Sequence, residues 1–242
     1  MRYGIFSDVH SNLEALEAVI NAYKYEAIDK YLCVGDVVGY ATNPNECIEK
    51  VKHLAMITVA GNHGWGSVDK IGLGYFTPNA KKGVFWTRQN LEEESRYFLE
   101  ALKLTYQNED LTLVHGTLDN PQEFKYLTDG YLAQESFKLL ETRICFVGHT
   151  HKPGTFIQEE TGLIGYARDT LIRIKDEFKY MVNVGSVGQP RDRNPQAAYC
   201  IYDTDKKEVQ IKRINYDIEA ARKKIISAGL PQYLGDRLLV GR

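Results

Sequence analysis

Apolar and polar positions follow two rhythms along this chain. Residues 2–7 form a short apolar run of the kind that makes a strand buried on both faces. After it, Leu13, Leu16, Ile20, Tyr23 and Ala27 recur at helical spacing. Ser11 with Glu14 three residues later resembles a capping box and predicts where that helix opens. The unit then repeats, with residues 31–34 as strand, 45–54 as helix and 56–60 as strand, each strand running into a loop rich in Gly and polar residues. Such alternation predicts parallel strands joined by crossover helices.

Residues 65–108 read as helical, with Pro78 or Asn79 opening one element and Leu91, Ser95, Phe98 and Leu102 marking the inner face of another. Strand character returns at 111–114 and 144–147, with a helix at 131–140 between them. After Pro153 the texture changes. Short runs at 155–157, 170–174, 180–184, 197–202 and 209–214 predict antiparallel strands. Ile218, Ala221, Ile225 and Ala228 then mark a helix ended by Gly229 and Pro231.

Composition narrows the class. A length of 242 residues without a linker-like stretch or internal repeat predicts one compact α/β domain over 1–242. With 30 Lys plus Arg against 32 Asp plus Glu, bulk charge does not suggest a nucleic-acid partner, and no sequence-specific one is expected. Cys33, Cys47, Cys145 and Cys200 show no paired spacing and read as reduced core thiols. The start of the chain has no apolar signal region, and no run approaches the roughly 18 apolar residues of a membrane span, so a cytoplasmic protein is expected.

In open α/β sheets ligands bind beyond the carboxyl ends of the strands. Those positions hold Asp8 and His10, Asp36, Asn62 and His63, His115, and His149 and His151, which is five of the six histidines. The sixth, His53, reads as a surface or capping residue late in a helix. Singly, a strand-end Asp can cap a helix and a lone His can be a satisfied core residue. Together on one sheet edge they would be costly to bury unless cations neutralised them. Carboxylate, imidazole and amide donors without thiolate suit Mn, Fe, Ni or Zn better than Ca. Asp36, flanked by Gly35 and Gly39, suits a bridging role.

The blocks Asp8-Val-His10, Gly35-Asp36-Val-Val-Gly39, Gly61-Asn62-His63, His115-Gly116 and Gly148-His149-Thr-His151 resemble, in order, those of the calcineurin-like metallophosphoesterases. The segment from Asn183 through Arg191 and Asp192 resembles the small bacterial and archaeal phosphodiesterase-like branch. The resemblance implies an α/β fold, a four-layer αββα sandwich of two mixed sheets. It implies two divalent ions, manganese first, one held by Asp8, His10, Asp36 and His151 and the other by Asp36, Asn62, His115 and His149. Such ions, about 3.5 to 4 Å apart, share a water, lower its pKa towards about 7 and present hydroxide to phosphorus.

The implied substrate is a small phosphate ester, with phosphodiester or nucleotide substrates favoured. A dinucleoside polyphosphate hydrolase or a serine/threonine phosphoprotein phosphatase is the alternative. Outside enzymes, the alternative is a protein-interaction scaffold with an impaired site. His63 is the implied catalytic residue, contacting phosphate or protonating the leaving oxygen. The family places Asp or Glu directly after it, whereas this chain has Gly64, unless another carboxylate such as Asp69 folds back. Arg191 could grip a distal phosphate, and Tyr40 could stack on a base; Arg193 reads as a solvated loop residue. The region from Trp65 to Trp86 could roof the pocket, with most of its aromatics in the core. Gly72-Leu-Gly74 lacks a dinucleotide fingerprint's third glycine, and Ser186 does not sit in a nucleophile elbow.

Overall fold

In the computed structural model, which describes residues 1–242, two six-stranded mixed sheets lie between helical layers. The first sheet holds β1 (Arg2–Phe6), β2 (Lys30–Cys33), β3 (Ile57–Thr58), β9 (Leu171–Arg173), β11 (Ala197–Asp203) and β12 (Glu208–Ile214), in the order β3-β2-β1-β11-β12-β9. The second holds β4 (Thr105–Gln107), β5 (Thr112–Val114), β6 (Ile144–Val147), β7 (Gly154–Gln158), β8 (Ile164–Ala167) and β10 (Lys179–Asn183), in the order β4-β5-β6-β10-β7-β8. β1, β2 and β3 run parallel, as do β5, β6 and β10, and antiparallel strands flank each group.

Period-two alternation makes the layers. Along β6, Ile144 and Phe146 enter the core between the sheets, while Cys145 and Val147 pack outward. Along β11, Cys200 and Tyr202 face that core and Tyr199 and Ile201 face the helices. α1 (Leu13–Tyr23), α2 (Pro44–Leu54) and α5 (Glu93–Ala101) cover the first sheet through Leu16, Val19, Ile48, Val51 and Leu99. α6 (Gly130–Leu139) covers the second through Ala133 and Phe137. α3 (Asn62–Ser67) and α4 (Pro78–Asn90) follow β3. α7 (Ile218–Ser227), α8 (Gln232–Asp236) and a final 3-10 turn (Arg237–Val240) fold back onto Tyr40, Ala41 and Ala80. This is the expected αββα sandwich.

Several local expectations need correction. Asn12, not Ser11, caps α1: its side chain accepts from the Ala15 amide at 3.2 Å, while Ser11 Oγ accepts from Gly39. Ala27 lies beyond α1 and is exposed; Ala15, Leu16, Val19 and Tyr23 form the buried stripe. β3 keeps only two residues of the expected 56–60. The stretch 65–108 is not wholly helical, because β4 pairs with β5 as a hairpin. β8 was absent from the pattern: only its end residues are partly buried, and Gly165 interrupts it. All four cysteines are free and buried, and no helix is long and apolar enough to cross a membrane.

Candidate metal centre

Each candidate ligand stands just past a parallel strand: Asp8 and His10 after β1, Asp36 after β2, Asn62 at the start of α3 after β3, His115 after β5, His149 and His151 after β6. Two bonds tie the sheet ends together. The His149 amide donates to Asp8 Oδ2 at 3.0 Å, and His115 Nδ1 lies 2.7 Å from the Val34 carbonyl. The turns are tight: Asp8, His10, Asp36, His149 and His151 all have left-handed backbone, with φ of 55°, 50°, 47°, 66° and 59°. Non-glycine residues rarely take this conformation, and where they do the surroundings hold them there. Gly148 permits the approach of the two sheets, since a Cβ there would run into Ser7 Oγ and the Asp8 carboxylate.

Each carboxylate is half satisfied. Asp8 Oδ2 accepts from His149, and Asp36 Oδ1 accepts from the His63 amide at 2.9 Å. Asp8 Oδ1 and Asp36 Oδ2 are buried without a hydrogen-bond partner, and so are Asn62 Oδ1 and His115 Nε2. His151 Nε2 lies 3.2 Å from Asp8 Oδ1, and His115 Nε2 3.2 Å from Asp36 Oδ2. His10 Nε2 lies 3.5 Å from Asp8 Oδ1, 3.8 Å from Asp36 Oδ2 and 3.1 Å from His151 Nε2. The Nδ1 atoms of His10, His115 and His151 point at the carbonyls of Val38, Val34 and Gln189. A carbonyl only accepts, so Nδ1 holds a proton, and each ring in its neutral form turns a lone pair on Nε2 inward, the form that a bound cation would select at His115. Buried polar atoms without partners are costly. Here oxygen and nitrogen lone pairs converge, a donor set that fits first-row divalent cations.

Charge in the centre is strongly coupled. Burial alone would raise the Asp8 pKa, but His151, His115 and His10 outweigh it and hold the carboxyl well below its usual range. Asp36 is likewise held low against burial, chiefly by His115 and His63. Burial opposes charge on His115 too, yet Asp36 and Asp8 raise it to about 9, so without a cation a proton occupies that position. Burial lowers His149 and His151 to about 3, helped by the like charge of His115 beside the first and of Arg191 beside the second.

His63 reaches the cluster, its ligand atom within 4.8 Å of those of His10 and Asp36. Its Nδ1 is buried without a partner, and burial pushes its pKa well down. Asp69 does not fold back to serve it, because its carboxylate pairs with Arg88 at 2.6 Å. Tyr40 is buried against this cluster, 4.3 Å from the His63 ring and 4.7 Å from His10. Arg191 donates to the Tyr40 hydroxyl at 3.2 Å; Arg193 is exposed and outside the cavity.

Asn62, His63 and His149 line a cavity of about 1170 Å³. Ile71, Tyr75 and Phe76 form one wall, as expected of an insertion there, although the region's aromatics are not core: Tyr75 and Phe85 are exposed and Trp65, Phe76 and Trp86 only partly buried. Tyr40 and Arg191, both named from the sequence, line it too, but sequence reasoning missed two further parts. Phe124, Lys125 and Tyr126 form a second wall from the β5–α6 loop, with Tyr126 stacked on His149 at 3.8 Å. Tyr233 and Arg237 come from the last turns of the chain. Only the aromatic and basic content of a long loop after a strand-end His hinted at the second wall, and nothing local announced Arg237.

Two face-to-face mixed sheets with Asp and His side chains meeting between their strand ends form the architecture of a metallophosphoesterase. A family model for the calcineurin-like phosphoesterase superfamily domain matches residues 1–207. A crystal structure of a metallophosphoesterase from Sphaerobacter thermophilus is similar with TM-score 0.89 at 35% identity, over 100% of this chain and 99% of that one. An uncharacterized protein of Methanocaldococcus jannaschii is 38% identical over 242 residues, 98% of this chain and 97% of that protein. A hypothetical protein from Pyrococcus horikoshii shares the fold, with TM-score 0.79 at 20% identity over 100% of this chain and 98% of that one. The chain belongs to the calcineurin-like phosphoesterase superfamily.

Proposed function

We propose that this chain hydrolyses small phosphate esters, phosphodiesters or nucleotides first, with two divalent metal ions. Asp8, His10, Asp36 and His151 would hold one, and Asp36, Asn62, His115 and His149 the other. The observation that carries this reading is that Asp8 Oδ1 and Asp36 Oδ2 converge on His115 Nε2, all buried without a hydrogen-bond partner, with Asn62 Oδ1 likewise unpartnered in the cavity wall. Membership of a phosphoesterase superfamily supports the reaction class. Bound there, the ions would supply an activated water and neutralise phosphoryl oxygens. The chain's own residues orient and shield. The carbonyls of Val38, Val34 and Gln189 fix three imidazole tautomers, and Phe76 and Tyr126 back the His63 and His149 rings at the cavity wall.

His63 would contact a phosphoryl oxygen. With glycine at 64 and no acceptor for its Nδ1, nothing orients it as a proton donor, so esters with good leaving groups are favoured. The test is hydrolysis of bis-p-nitrophenyl phosphate and p-nitrophenyl phosphate by metal-stripped protein resupplied with Mn, Ni, Fe or Zn. Activity should return, Mn being the first candidate, and fall at least about 100-fold in Asp36→Asn. No hydrolysis with any metal that measurably binds would favour the scaffold; absence of metal binding would remove the centre itself.

A further inference from the structure

Beside the candidate ligands, the cavity carries two guanidinium groups with no Asp or Glu side chain in ion-pair reach. Arg2, Arg88, Arg213 and Arg222 are each paired with a carboxylate. Arg191 and Arg237 are half-buried, line the cavity and have no Asp or Glu partner. Arg191 meets only the neutral oxygens of Tyr40 and Gln189, at 3.2 and 3.0 Å, and its Nε is buried without any partner. Arg237 uses only Nε on the protein, donating to the terminal oxygen of Arg242, and stacks over Tyr233 at 5.2 Å; its two outer nitrogens make no hydrogen bond to the protein. Burial and the like charge of Arg191 push Arg237 down from the usual guanidinium value. Lys125, also in the wall, is already neutralised by Asp119 and Glu123 at 2.8 and 3.1 Å.

Two like charges held together and partly desolvated are unfavourable until an anion joins them. Planar guanidinium forks match phosphate oxygens in bidentate fashion, and two of them complement a doubly charged group. Position sets the relation to the reacting phosphate. Tyr40 touches both sides, its ring 5.6 Å from the Arg191 guanidinium and 4.3 Å from His63. Arg237 is held by a packed element, since Leu234 and Leu238 on either side of it are buried with Ile225 and Leu230.

The geometry points to a second phosphate subsite between Arg191 and Arg237, one aromatic ring from the candidate metal ligands, so that the substrate class is a phosphate ester bearing a second phosphate group. This assignment rests on the phosphoesterase reading, and its test is separable from it.

The experiment is calorimetric titration of pyrophosphate into metal-stripped protein, comparing wild type with Arg237→Gln, Arg191→Gln and the exposed control Arg143→Gln, with thermal melts to establish folding. Pyrophosphate should bind wild type and Arg143→Gln alike, and at least about tenfold more weakly in either cavity variant. No binding to wild type, equal affinity in folded Arg237→Gln, or an equal loss in Arg143→Gln would each overturn the subsite. Loss confined to the cavity variants in a protein without metal-dependent hydrolysis would keep the subsite and remove the hydrolase reading.

Discussion

At the residue scale, position 64 tests the role proposed for His63. A Cβ built there meets only Leu99 Cδ2, at 3.4 Å, so the backbone tolerates a side chain. Gly64→Ala should therefore raise stability by about 0.5–1 kcal/mol in thermal or urea melts, the ordinary gain on replacing a helical glycine. Gly64→Asp should raise kcat/KM for alkyl phosphates, whose leaving groups need a proton, more than for p-nitrophenyl phosphate. Alkyl turnover that stays at the wild-type level would show that the glycine does not limit the reaction. The identity of the cluster residues was legible because Asp8, Asp36, His115 and His149 follow apolar runs directly. The partner of His63 was not, because a sequence does not tell that Asp69 turns to Arg88.

At the scale of elements, both sheets depend on close approach where their ends meet. Gly148→Ala would press a Cβ into the Asp8 carboxylate and Ser7. Overpacking of this kind costs about 1–3 kcal/mol, and it should lower the melting temperature and weaken metal binding together. A variant that melts lower yet binds Mn as tightly as wild type would separate packing from the centre. Strands buried on both faces, such as β1, β6 and β11, were readable as unbroken apolar runs. β8 and β4 lie at the edges of their sheet with little buried surface, so the hydrophobic pattern had little to record there. The tail carrying Arg237 reaches the cavity through packing of α7 and α8 on Tyr40 and Ala80, a long-range contact with no local signature.

For the whole molecule, the coupled charges of the centre set how stability follows pH. His149 and His151 sit near 3 when folded against 6.5 otherwise, so the unfolded chain takes up their protons first. Stability then falls as pH drops below 6.5, by up to about 1.4 kcal/mol per pH unit for each ring. His115, raised to about 9, stabilises fully below 6.5 and loses that contribution as pH rises through 9. Asp8 and Asp36, held below 3.8, lose theirs only as pH falls beneath that value. The melting temperature of metal-stripped protein should peak near pH 6.5. Mn should flatten the alkaline side by replacing the proton at His115, and at about 100 times its Kd should add about 2.7 kcal/mol. An unchanged alkaline limb with Mn present would mean that the ion does not bind where the His115 proton sits.

The pairing of β1 with β11, Ile5 opposite Cys200, also bears on biosynthesis. A ribosome releases β1, β2 and β3 long before β11 exists, so through most of translation β1 exposes one unpaired edge and an uncovered apolar face. Such edges invite pairing between chains. The nascent chain is therefore a natural client for holding chaperones, and a ribosome stalled anywhere between β10 and β11 would release an aggregation-prone fragment.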